Sequence, residues 1–343
     1  VKSFSQILGQ ERAIGFLKRV ISGKKIPHAY LFTGINGVGK KSTALALAQA
    51  VNCQDPVDNE GCGHCLICRK MKSGNFPDRI FVEPDGRNIK IEQIRELNRN
   101  LNYKPVSGKY RICIIDQAEM MTEEASNSFL KTLEEPPPGN IIILKVVDPL
   151  DLLPTIVSRC QKVPFRPLPL SVIQEWLINE MREDSQRALL IAGLSEGSLG
   201  KAIEIRGSQF LDERKDSLTK LANLPDLSSA QVLGMAIDYT KKYSRGSNSS
   251  AMDMGLFELM GIWKTWYRDM IIIKTGSPEN SVINMDFMDN IKKVSDRIDS
   301  SDLIECFMLT DQAQRDLMRN PNTGLLLEKT LLDLREYSCK GID

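Results

Sequence analysis

The sequence predicts an α/β architecture built on a parallel sheet in its first half, followed by an all-helical second half. Two observations carry this. Short apolar segments, partly aromatic or β-branched, at 29–33, 80–82, 111–115 and 140–146 read as buried strands, and a helical pattern separates each from the next. That alternation is the signature of a parallel sheet covered on both faces. Beyond the proline-rich stretch VPFRPLPLS, strand signals stop and helical patterns run on to the end. At one domain per ~150 residues, 343 residues hold two or three domains.

Taken in order, the strand at 29–33 runs into the glycine-rich segment GINGVGKKS, and a helix is predicted from Lys40 to Asn52. Helices follow at 91–101 and 123–134, the second stopped by Pro136, Pro137 and Pro138. Pro164, Pro167 and Pro169 prevent regular structure at the second break, and Ser171 is suited to cap the next helix. Helices near 172–181 and 185–194, then GSLG and a further short helix, make a small helical unit up to about 207. The remainder is helical apart from the polar segment SRGSNSS at 244–250. The apolar face formed by Leu325, Leu326, Leu327, Leu331 and Leu332 is expected to pack inside the chain.

Charge and hydropathy exclude some functions. Lys plus Arg total 45 against 44 Asp plus Glu, a net charge of +1, so no global field draws the chain to nucleic acid or anionic membrane. The longest apolar runs, at 44–48 and 188–192, are far short of the ~20 residues that a membrane-spanning helix needs. VKSFSQILGQER has no apolar core of the secretory type, so a cytoplasmic location is expected.

Four segments carry chemistry. GINGVGKKS (34–42) matches the phosphate-binding pattern G-x-x-x-x-G-K: Gly34, Gly37 and Gly39 let backbone amides turn inward, and Lys40 can reach terminal phosphates. The next position should carry a hydroxyl to ligate Mg²⁺, but it is Lys41; Ser42 lies about 100° further round the helix. A glycine-rich turn without nucleotide is the alternative. RICIIDQAE ends a strand in Asp116, a position suited to holding Mg²⁺, or simply a strand-terminating turn residue. Its follower is Gln117, and an amide cannot act as a general base. Cys53, Cys62, Cys65 and Cys68 have the spacing of a closed four-thiolate Zn²⁺ site, structural rather than catalytic, with buried free thiols as the alternative; His64 is expected to face solvent. In LLPTIVSRCQKVPF, Arg159 by composition alone is an ordinary surface arginine.

Together with FSQILGQ, LNRNLNYKPVSGKYRICIIDQAEMM, ASNSFLKTLEEPP, EGSLGKAIE and NPNTGLLLEKTLLDL, these segments resemble, over nearly the whole chain, the AAA+ clamp-loader subunits of bacterial DNA polymerase III, the delta-prime family in particular. The resemblance implies a P-loop domain with a zinc module (53–68) at 1–165, a helical lid at 166–207 and an all-helical collar for oligomerisation at 208–343. It implies a hetero-pentamer with gamma/tau and delta subunits that acts on the sliding clamp and on primed DNA, with no membrane. The gamma/tau motor looks like Lys-Thr or Lys-Ser where this chain has Lys40 and Lys41, and Asp-Glu where it has Asp116 and Gln117. It has a polar residue near Val146 and Val147, and an arginine at Gly200. These departures imply a non-hydrolysing stator that binds ATP weakly at Gly34, Gly37, Gly39, Lys40 and Asp116, rather than a motor. Ser158, Arg159 and Cys160 match the family's Ser-Arg-Cys motif, which makes Arg159 an expected arginine finger for a neighbour's ATP site.

Overall fold

Every residue of RICII (111–115) and NIIILKV (140–146) is buried, a condition that parallel strands meet when both faces of their sheet are covered. The computed structural model describes residues 2–23, 25–207, 209–244, 249–317 and 322–339. Its sheet consists of β1 (Ala29–Thr33), β2 (Arg79–Val82), β3 (Arg111–Ile115), β4 (Asn140–Val146) and β5 (Gln161–Pro164), all paired in parallel in the order β2-β3-β4-β1-β5. Successive side chains on a strand point to opposite faces. Tyr30, Phe32, Ile112, Ile114, Ile141 and Ile143 accordingly join one core, while Leu31, Cys113, Ile115, Ile142 and Leu144 join the other.

The first core is closed by α1 (Glu11–Ser22) and α2 (Lys40–Asn52), through Leu17 and Leu47 among others. After α3 (Leu66–Lys72), which sits among the cysteines, α4 (Ile91–Leu101), α5 (Glu123–Glu134) and the short α6 (Pro154–Val157) cover the opposite face. Phe129 on α5 is fully buried there, which stabilises by about 1.5–3 kcal/mol.

Four expected strands and three expected helices of this half lie where the sequence puts them, while α1, α3, α6 and β5 are additions. Pro164 does not prevent a strand: it is the last residue of edge strand β5, where a missing N–H costs no ladder bond, and the next N–H, on Phe165, donates to Thr33 O at 2.8 Å. Ser171 does not cap the following helix. α7 (Leu170–Met181) starts two residues before the expected Val172, with Pro169 at its N-cap. It is followed by α8 (Ser185–Leu194) and α9 (Leu199–Gly207).

The chain forms two compact units that divide after Glu204. The second contains α10 (Phe210–Ala222), α11 (Ser229–Ser244), α12 (Ser249–Lys274), α13 (Met288–Ser295), α14 (Ser300–Leu317) and α15 (Thr323–Cys339). Its core gathers Trp263, Trp266, Leu303 and Leu331. Leu326, Leu327, Leu331 and Leu332 pack as expected, but Leu325 is exposed. Arg214 is buried and pairs with Asp286 and Asn284, which composition did not foretell. Most of the polar segment expected at 244–250 lies outside the described residues.

Candidate nucleotide and metal sites

The glycine-rich loop leaves the end of β1 and enters α2. Gly34 and Gly37 take φ of +133° and +78°, a region that favours glycine, and a Cβ on Gly37 would overlap Ser198 Oγ. Lys40, only 4% exposed, is folded back onto its own loop. Its Nζ donates to Gly34 O and, at 2.7 Å, to Val146 O at the end of β4. Burial, and then the charge of Lys145, lower its pKa to about 8, against the opposing pull of Glu119 and Asp116. Lys41 points away: its ammonium meets Glu83 Oε1 at 3.1 Å and lies over the Phe81 ring.

Asp116 follows β3, as the sequence predicts, but its carboxylate is engaged. Asp116 Oδ1 lies 2.6 Å from Lys145 Nζ and accepts the N–H of Gln117 at 3.0 Å. Lys145 is 6% exposed, and sequence reasoning missed it. The signal was present: a lysine inside the apolar strand IIILKVV cannot be buried without a partner. Glu119 also faces this cluster. Burial raises its carboxyl pKa, and Glu119 Oε2 has no hydrogen-bond partner.

The start of α9 is seated on the loop, where Gly200 N donates to Gly37 O at 3.0 Å. Gly200 is needed for that approach, since a Cβ there would come within 2.8 Å of Gly37 Cα. Gln10, missed in the sequence, ties the loop from the other side: its amide bonds Val38 O, Arg166 O and the Arg166 N–H. Between these elements lies a cleft of about 250 Å³ lined by Gly37, Lys40, Ser42, Lys145, Leu199 and Ile203, among others. The structure thus brings Gly34, Gly37, Gly39, Lys40 and Asp116 to one end of the sheet.

Arg159 is not with them. β5 runs parallel to β1 with Gln161 opposite Tyr30 and Pro164 opposite Thr33, so Arg159 precedes the strand whose far end adjoins the glycine-rich loop. Four residues of strand span roughly 13 Å. The Arg159 guanidinium donates to Glu134 Oε1 at 2.7 Å and to Thr155 O at 2.9 Å, and remains about one-third exposed.

Cys53 caps the C-terminus of α2, and Cys62, Cys65 and Cys68 converge on it, all four Sγ atoms lying within 4.8 Å of one another. Three Sγ···Sγ separations are 3.7, 3.9 and 4.0 Å. Zn–S bonds of ~2.3 Å in a tetrahedron require S···S edges of about 3.8 Å, so the donor set fits a closed four-thiolate metal site. Backbone N–H groups of Cys62, Cys65 and Cys68 donate to the sulfurs of Cys53, Cys62 and Cys65, which stabilises negative charge on them. His64 is exposed and outside the cluster.

Comparisons with known proteins bear on the family of the chain. A family model described as DNA polymerase III, delta subunit, matches residues 9–169, and one described as DNA polymerase III, delta subunit, C terminal, matches residues 250–336. DNA polymerase III subunit delta′ of Bacillus subtilis is 31% identical over 95% of this chain and 96% of its own length. DNA polymerase III subunit tau of Escherichia coli is 36% identical over 60% of this chain, but the match spans only 32% of that protein. A solved DNA polymerase III gamma subunit-related protein from Thermotoga maritima aligns with 94% of this chain and 99% of its own at 22% identity and a TM-score of 0.43. No described helix is long and apolar enough to cross a membrane. On the near-complete match to subunit delta′, the chain belongs to the delta-prime family of DNA polymerase III clamp-loader subunits.

Proposed function

We propose that this chain is the stator of a clamp-loader pentamer: it does not hydrolyse ATP itself, and it supplies Arg159 to the ATP site of a neighbouring subunit. The observation that carries the reading is the separation of Arg159 from the chain's own phosphate loop, at opposite ends of parallel β1 and β5. An arginine so placed serves a site on another chain. At the chain's own site, Gln117 and Lys41 stand where a water-activating carboxylate and a metal-binding hydroxyl belong, and Lys145 holds Asp116.

The proposed organisation is a P-loop body (1–165), a helical lid (166–207) and a collar (208–343) that joins gamma/tau and delta partners in the cytoplasm. The sliding clamp and primed DNA are engaged through the complex. Cys53, Cys62, Cys65 and Cys68 hold one structural Zn²⁺. Any ATP bound at Gly34, Gly37, Gly39, Lys40 and Asp116 is held weakly. The local identity to tau favours a hydrolysing motor as the second reading. Phosphate release by the isolated chain decides between the two.

The test of the stator reading is Arg159→Ala in a reconstituted complex. Arginine fingers supplied in trans are worth about 10³ to 10⁵ in rate at the site they serve. Clamp-stimulated ATP hydrolysis and clamp loading should slow while assembly and metal content stay intact, and Arg159→Lys should rescue poorly because the planar fork is lost. Wild-type loading by Arg159→Ala complexes would refute the trans role.

A further inference from the structure

This inference deepens the reading of a non-hydrolysing P-loop and rests on it. A P-loop that works with a divalent cation uses a hydroxyl next to its lysine and a carboxylate at a strand end. The hydroxyl is missing here, and one oxygen of the carboxylate is engaged. Lys41 stands at the hydroxyl position with its ammonium on Glu83, and Asp116 Oδ1 is occupied by Lys145 at 2.6 Å. An ammonium at that distance already offsets the carboxylate charge, and a divalent cation beside it would meet like charge. These residues do not fit Mg²⁺.

They do fit an anion. Lys145 leaves β4 one residue before Val146, whose carbonyl holds Lys40, and both lysines are more than nine-tenths buried along the same cleft. Asp116 offsets one of the two positive charges. Glu119 faces the same cluster, and burial raises its carboxyl pKa. The cleft therefore presents two buried ammonium groups without metal, and the loop amides at the start of α2 add partial positive charge. We propose that Lys145 is the resident cation of this cleft, in place of a divalent metal, and that the cleft binds a nucleoside polyphosphate as the metal-free anion. On binding, Lys40 exchanges its bonds to Gly34 O and Val146 O for phosphate oxygens, while Lys145 stays on Asp116 and faces the ligand.

The experiment measures ATP affinity for the purified full chain by calorimetry, once in EDTA and once in excess Mg²⁺, with inorganic pyrophosphate as a competitor in both. Binding at least as tight in EDTA as in Mg²⁺ is expected, with competition by pyrophosphate showing that the phosphates, not the base, make the contact. Lys145→Met should weaken binding in EDTA by about tenfold or more, the worth of one charge-assisted contact. It should also make Mg²⁺ strengthen binding, whereas Lys145→Arg should keep the wild-type independence. Wild-type binding that requires Mg²⁺, or no binding in either buffer, overturns the proposal, and neither result depends on a variant folding. Phosphate release measured on the same samples separates this failure from that of the non-hydrolysing reading, which turnover would sink.

Discussion

Removing the metal from the four-cysteine module should lower the melting temperature of the first unit by a predictable amount. Coordination by Cys53 through Cys68 closes a chain segment of 16 residues. Treated as a cross-link, closure of a loop of about that length restricts the unfolded chain by ~3 kcal/mol. For a unit of 150–250 residues each kcal/mol shifts the midpoint by about 2–4 °C, so the expected fall is roughly 6–12 °C. Cys68→Ser should have a similar effect, because Cys68 is fully buried and its sulfur lies 3.7 Å from that of Cys53 and 4.0 Å from that of Cys62. Calorimetric melting with and without a strong chelator, beside metal analysis of protein purified without added zinc, measures both effects. About one equivalent of zinc is expected. Four freely reactive thiols and an unchanged midpoint would show that the sulfurs converge without a metal to hold them.

Three further outcomes are expected. Asp78→Ala should destabilise the first unit by about 3–5 kcal/mol in urea unfolding, because the fully buried carboxylate accepts the N–H groups of Val106, Ser107 and Gly108 at 2.6, 2.6 and 2.7 Å and faces Arg111; a loss below ~1 kcal/mol would mean that loop 102–110 holds itself. Lys40 titrates near 8 in the folded chain and at 10.5 when unfolded, so between these pH values the unfolded state binds more protons and stability from this group rises with pH. Phosphate affinity should move the opposite way, falling as pH passes about 8 because the anion needs the charged form; a flat pH profile up to about 10 would place the binding charge elsewhere.

Which parts of this molecule were legible in the sequence follows from which parts are governed by local chemistry. RICII and NIIILKV are built around the apolar runs ICII and IIIL and announced themselves as central strands, and the cysteine spacing announced a cluster that does close. β5 did not, because QKVP has one buried residue and owes its strand geometry to pairing with β1. α3 was hidden because it is seven residues long and is fixed between Cys65 at its N-cap and packing of Ile67 and Met71.

At the site, the identity of each motif residue was readable but its engagement was not. Asp116 and Lys40 were named as a metal carboxylate and a phosphate lysine, yet each is held by a residue far away in sequence, Lys145 for the first and Val146 for the second. Both partners lie at the end of β4, the strand that packs between β3 and β1 and so touches both halves of the site. A substitution at that strand end can therefore disable a P-loop while leaving G-x-x-x-x-G-K intact. Arg159 lies outside this coupling. It sits before the opposite end of β5, bonded to Glu134 and Thr155, so a change at one end of the sheet leaves the arginine at the other end in place. That independence is the physical condition under which a subunit can give up its own chemistry and still serve a neighbour's.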